Sequence, residues 1–340
     1  MRRLPVVMAS TINAVDVLSL VRRRVNPSAV GAEVRKPFRF LLCGDPGLVA
    51  ELRALLLFAR PDANVPDDAA ATLETIDPRR APVVRMPDAR CVIFLGRGPD
   101  VAGARLDLLQ PLRLPIFAIT VDPAAGAATL PAAAPLAGEI GEYVVPRLDR
   151  ESLRSRVFPH LIDRCKGVEV AVGRRLPALR ETVATKLTRD AASSALKISA
   201  ASAVVDKVPL LGMVLGVVAT AGDMVAITGI QVVLALQVGA AYGKDPDVQR
   251  VWELLPVVGG GLGWRALSRE LSGFVPVAGI AIKGAIAYAG TIVVGEGVAF
   301  FYEHGRHMTA AQAGMLYEDR KRAALGFARD MIGRLRRRPS

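Results

Sequence analysis

Residues 38–58 read FRFLLCGDPGLVAELRALLLF, and this stretch decides the fold of the first half of the chain. Phe38–Cys43 is a short apolar run that suits a buried strand, and Gly44-Asp45-Pro46-Gly47 is a turn. From about Leu48 to Phe58, apolar residues recur at helical spacing. Further β-rich runs follow at Ala81–Met86, Cys91–Gly96, Ile116–Val121 and Tyr143–Val145, with helical stretches at Val101–Leu112 and Glu151–Cys165. Short apolar strands alternating with helices predict an α/β domain over residues 37–165, built on a doubly wound, largely parallel sheet. The Pro- and Ala-rich stretches 61–71 and 122–137 read as loops.

A strand running into a glycine turn and then a helix is also the setting in which nucleotide phosphates are bound. With Gly44 as the first glycine of GxxxxGK[ST], the second glycine falls on Val49, the lysine on Ala50 and the hydroxyl residue on Glu51. No cation remains for the β/γ-phosphates and no hydroxyl for Mg²⁺, while a carboxylate stands where polyanion charge would gather. The domain is therefore predicted to be a degenerate P-loop, GTPase-like sheet, and GTP hydrolysis is not expected. Where a guanine-reading Asn-Lys-x-Asp would sit, the chain reads Thr120-Val121-Asp122-Pro123. If a residual site for GTP or GDP exists, Gly44, Asp45, Gly47 and Asp122 form it; otherwise Asp122 is a turn residue or helix cap. No other cofactor is called for. His304 and His307 beside Glu303 read as surface groups rather than metal ligands, and no nucleophile gathers with a base.

The second half has a different character. Residues 208–243 and 271–301 are almost continuously apolar, interrupted by Asp223 in the first block and by Lys283 and Glu296 in the second. Met224–Tyr242 is 19 residues without a charge, a membrane-spanning length at ~1.5 Å per residue. Val208–Ala221 is too short to span alone, and Gly222-Asp223 is expected to break the helix between them. Lys283 and Glu296 would each cost ~2.5–3.5 kcal/mol facing lipid, so both are expected inside the bundle or at an interface. Asp223, Gln231, Arg265, Lys283 and Glu296 are accordingly predicted as polar contacts within a hydrophobic helical, membrane-associated domain, residues 201–305. Gly212 and Gly216, and Ala281, Ala285 and Ala289, recur every four residues and let helices approach closely. Residues 166–200 read as a helical connector.

A chain of 340 residues has room for two cores. Its net charge of +12 gathers at the ends, in Arg2, Arg3 and Arg22–Arg24 and again in Arg334 and Arg336–Arg338. Residues 1–36 form a basic segment with Ile12, Val15, Leu18 and Val21 on one helical face, and 306–340 a basic C-terminal helix and tail. Such ends fit anionic lipid head groups, with both termini on the cytoplasmic side. Nucleic acid is not the expected partner, because the basic segments carry no interleaved aromatics and no helix-turn-helix or zinc spacing. Cys43, Cys91 and Cys165 are odd in number and far apart, which reads as buried thiols in a reducing compartment. No apolar run of signal-peptide length precedes Arg22, so no secretory signal is expected.

Several separated motifs keep a recognisable order: RRLPALRETVATKL (174–187), Asp223 with Gln231, AAYG (240–243), ELLPVVGGGLGWRALSRELSGFVPVAGIAIKGAIAYAGTIVVGEG (253–297) and Tyr302–His307. Over residues 170–310 they resemble the YcjF-like, GTPase-associated family. The resemblance implies a hydrophobic α-helical, membrane-associated module, often fused to or encoded with a Ras-like GTPase domain, and no catalytic residues. The expected function is a membrane-associated, non-catalytic scaffold or regulatory protein with a protein partner, either a GTPase or another copy of the chain. Two alternatives stay open: an atypical GTP-binding sensor or NTPase coupled to the membrane, and a bilayer-remodelling or pore-forming protein.

Overall fold

The structure, a computed structural model, describes residues 26–61, 63–80, 86–98, 106–124, 131, 133–205, 212–247 and 279–336; side chains at 200–225, 279–283 and 327–336 are outside the description. Five parallel strands form one sheet in the order β2-β1-β3-β4-β5, with β1 at Arg39–Gly44, β2 at Leu73–Thr75, β3 at Ala89–Arg97, β4 at Ile116–Val121 and β5 at Ile140–Val145. This is the flavodoxin-type order of open parallel sheets, whose direction of winding reverses between β1 and β3. The two faces of the sheet divide the residues of each strand by parity. Phe40, Leu42, Cys91, Ile93, Phe117, Ile119, Tyr143 and Val145 enter the larger core, while Leu41, Cys43, Val92, Ile116 and Ala118 enter a smaller one.

Helix α1 (Pro27–Val34) precedes the sheet, and α2 (Pro46–Leu57) follows β1. Asp45 caps α2 and Pro46 opens it, while Leu48, Leu52 and Leu56 lay a stripe at four-residue spacing onto the larger core. The expected helix over Glu151–Cys165 is two short helices, α3 (Arg150–Arg156) and α4 (Phe158–Asp163). Pro159 explains the division, since it offers no N–H to the preceding turn and can sit only at the start of a new helix. The expected helix over Val101–Leu112 is, where described, a tight 3-10 stretch over Leu106–Leu112 that contains Pro111. Among the described residues, this stretch covers the smaller core, and the α-helices lie on the other face. Strand β2 was not foreseen: three residues at a sheet edge are too few to show a period. The predicted strand Ala81–Met86, apart from Met86, and the helical face of Ile12, Val15, Leu18 and Val21 fall outside the described residues.

The second half is helical. It contains α5 (Glu169–Arg175), α6 (Arg180–Val205), α7 (Gly212–Ala241), α8 (Gly279–His304) and α9 (Ala310–Arg336). Helix α7 runs unbroken through Gly222-Asp223, contrary to the expected break. One glycine inside a helix costs only ~1 kcal/mol, and 30 residues of helix around it outweigh that. Helices α7 and α8 run parallel, with Gly239 against Tyr302 and Gln231 against Thr291. Both run antiparallel to α6, since Gly295 meets Thr188 and Gly284 meets Leu196. One end of this bundle adjoins the sheet, and at the other end the C-terminus of α6 meets the N-termini of α7 and α8.

The stretch read as a connector belongs to the core. Ala171, Val172, Leu176, Leu179 and Val183 pack into the larger sheet core, while Val170 and Ala184 pack against α7. Three guanidinium groups tie the halves further. Arg174 donates to Lys244 O (2.9 Å) and Asp245 (3.0 Å), Arg175 to Asp68 (3.0 Å) and Val34 O (2.9 Å), and Arg180 to Asn64 O (3.1 Å) and Gly173 O (3.2 Å). Helix α1 packs Val30 against Val232 and Leu236 of α7, and its Glu33 accepts from Gln237 at 2.9 Å.

Candidate functional site

Gly44, Asp45, Gly47 and Asp122 all lie at the carboxyl end of the sheet, where open α/β sheets bind ligands. Gly44 has φ +108°, and a Cβ there would stand 2.0 Å from Leu95 O. The turn is held down by a second contact, from Asp45 N–H to Leu95 O at 2.8 Å. Asp45 Oδ1 then accepts from Leu48 N at 2.9 Å, and its carboxylate lies 3.8 Å from Arg97 Nε. The helix end that would meet a phosphate is thus filled by the chain's own carboxylate, and Pro46 removes a further backbone donor. Asp122, two strands further along at about 10 Å by strand spacing, accepts from Ala124 N at 2.9 Å. That is the turn-residue geometry considered for it. Glu51 is exposed on α2.

The polar residues predicted inside the helical half separate in the structure. Gln231 is buried between α7 and α8 and donates to Thr291 Oγ1 at 3.3 Å. Thr291 in turn donates to Ala287 O at 2.8 Å, so the two side chains form a short hydrogen-bonded relay from α7 to the α8 backbone. Glu296 is half-buried at the edge where α9 crosses α8, and pairs with Arg320 at 3.2 Å. Its place is therefore at an interface and not in the bundle interior. Asp223 and Lys283 lie on described helices without described side chains, and Arg265 lies outside the described residues. His304 and His307 are exposed and stack on Phe300 (4.1 Å) and Phe301 (4.6 Å). Among the described residues no three His, Cys, Asp or Glu side chains group to hold a metal ion.

Cys43, Cys91 and Cys165 are all free and buried. Burial pushes the Cys43 thiol up to about 12 and raises the other two as well, so all three are protonated at neutral pH.

A cavity that the sequence does not reveal lies where the end of the bundle meets the α/β half. It measures about 520 Å³ and draws its lining from residues 58–64, 150–154, 177–181, 242–244 and 302–304. Five cations line it (Arg60, Arg150, Arg154, Arg180 and Lys244) against three carboxylates, Glu151, Glu181 and Glu303. Arg154 pairs with both Glu181 and Glu151, and Glu303 Oε1 accepts from Tyr242 Oη at 2.5 Å. Desolvation, followed by the Glu303 charge, holds the Tyr242 phenol protonated far above its usual range. Arg180 is 7% exposed, and burial lowers its pKa. The five lining segments are scattered over the chain, so no single stretch of sequence marks the cavity.

Comparison with family models, with characterised proteins and with solved structures returned no match. The fold and its sites therefore stand on their own geometry.

Proposed function

We propose that the chain is a membrane-associated, non-catalytic scaffold or regulatory protein whose α/β half faces the cytosol and whose bundle meets the inner leaflet with its far end. The observation that carries this reading is the direction of the helices. Where α6 ends and α7 and α8 begin, the sequence is SAASAVV (199–205), GMVLGVVATA (212–221) and GIAI (279–282), with no charge in any of the three. Within the described residues, one helical stretch, Gly284–His304, is long and apolar enough to cross a membrane, with mean hydropathy 1.5, and 67% of its apolar window is covered by protein. Ala285, Ile286 and Ala287, at the end of this stretch away from the sheet, are themselves buried, so the reading assigns lipid contact to the uncharged helix ends beyond Gly284 and treats this stretch as a core helix, not a separate span.

The non-catalytic part of the reading is supported by Asp45, which closes the position a phosphate would need. Kinship of the sheet with P-loop G domains, and of the bundle with the YcjF-like family, belongs to the same proposal; the β1–turn–α2 layout supports the first and the ordered motifs of 170–310 the second. The protein partner would be a GTPase or another copy of the chain. Alkaline carbonate extraction of membranes tests the proposal. The full chain stays with the pellet, whereas complete recovery in the soluble fraction removes the reading.

A further inference from the structure

Charge in the cavity between the two halves is unbalanced in a way the fold does not require. Arg180 is a nearly buried guanidinium that donates to backbone carbonyls of Asn64 (3.1 Å), Gly173 (3.2 Å) and Arg174 (3.5 Å), with no carboxylate among its partners. The guanidinium also lies over the Tyr242 ring, 6.0 Å from its centroid. A buried cation normally keeps a counter-charge, because carbonyl dipoles replace only part of its hydration. Arg150, also in the lining, has no ion pair among the described residues, and neither does Lys244. Arg150 and Arg174 both act on Arg180 as like charges. With five cations against three carboxylates, the lining carries a surplus of two positive charges.

We propose that this cavity binds a phosphate monoester, with its phosphoryl group held by Arg150, Arg180 and Lys244. The charge fits: a phosphate monoester carries about −1.5 to −2 at neutral pH, which matches the surplus, and guanidinium forks donate to its oxygens in pairs. The size fits as well, since cavities of ~300–1,000 Å³ take small organic ligands. The organic part would lie against Phe58, which is 76% exposed at the rim, and Tyr302, which stacks on Tyr242 at 5.8 Å. Flat aromatic faces at the mouth suit a nucleoside monophosphate, whereas a lipid head group would bring the same phosphoryl chemistry with no ring. The site is separate from the carboxyl end of the sheet, so it holds whether or not nucleotide binds at Gly44.

Titration calorimetry on the purified full chain with inorganic phosphate, AMP, glycerol 3-phosphate and succinate tests the proposal. Phosphate-bearing ligands bind with Kd of roughly 10–100 μM, and succinate does not. AMP tighter than glycerol 3-phosphate assigns the nucleotide source, and the reverse order assigns the head group. Because Arg180→Gln removes three structural hydrogen bonds, the deciding variant is Arg150→Gln with Lys244→Gln, two side chains outside the core. That double variant weakens binding at least about tenfold while leaving the thermal midpoint of the free protein in place. Absence of binding by all three phosphates, succinate as tight as phosphate, or unchanged affinity in the double variant would each overturn it.

Discussion

The two halves are held together internally by different means. The α/β core is packed with bulk: Phe40, Phe117, Tyr143 and Phe158 are essentially inaccessible, and the Phe117 and Tyr143 rings stack at 5.5 Å. The helical half is packed with small residues. Alanine is its commonest buried residue, and at Gly295 helix α8 comes so close to α6 that a Cβ would stand 2.1 Å from Thr188 Oγ1. Bulk packing gains its stability by removing apolar surface from water, at roughly 25 cal/mol per Å². Close backbone approach relies on dispersion contacts and buried hydrogen bonds, which remain available when the surroundings are lipid. The first half thus rests chiefly on bulky side chains, and the second chiefly on close helix contact.

Two glycines set this contrast at its sharpest. Gly44→Ala places a methyl group against the Leu95 carbonyl at a φ of +108°, and both partners are backbone. We expect a loss of about 4 kcal/mol or more in urea unfolding, with no single second substitution restoring it. Gly295→Ala meets a side chain instead, Thr188 Oγ1. Its expected cost is about 2–3 kcal/mol, and the added change Thr188→Ala recovers only part of it, because the Cβ at position 188 would still stand 2.8 Å away. A double-mutant cycle on Gly295 and Thr188 measures the coupling; additive losses would show that the helices are not in contact there.

The thiols separate the halves by pH, because all three lie in the α/β half and its core. The Cys43 pKa is raised from 9.0 to about 12 by burial, so its contribution is complete below pH 9 and is lost as pH climbs through 12. At pH 10 the folded state is weakened by about 1.4 kcal/mol relative to pH 8 through this thiol alone. Cys43→Ala removes that part of the slope, which urea midpoints at the two pH values would show. Smaller still is Asp45→Ala, about 1 kcal/mol from the lost cap of α2; the same change leaves the helix end open, so binding of phosphate there should rise from none to measurable. Gln231→Leu is expected to shift stability by less than about 1 kcal/mol, since Thr291 keeps its bond to Ala287 O.

The sheet was legible where strands are long, apolar and flanked by turns: Ile116–Val121 is reproduced residue for residue, and Cys91–Gly96 lies inside β3. It was illegible at β2, whose three residues are a strand only because β1 pairs with them. The helix break at Gly222-Asp223 was misread because local propensity yields to the helix on either side. Asp45 was legible as a turn residue in the phosphate-loop position, but not as the cap that fills it, since that depends on where Leu48 N points. The cavity lay beyond sequence reasoning altogether. Its parts are local chemistry of no distinction until tertiary structure gathers them, and a run such as Arg174, Arg175, Arg180 reads as a solvated face although Arg180 is 7% exposed.

Arg174, Arg175 and Arg180 occupy a single bend of chain, yet they grip Asp245 after α7, Asp68 before β2, and the carbonyls of Val34 and Asn64. A fastening of this kind leaves no hinge at the joint. Any tilt of the bundle would therefore pull on the Asn64–Asp68 segment, which leads directly into the β2 edge of the sheet.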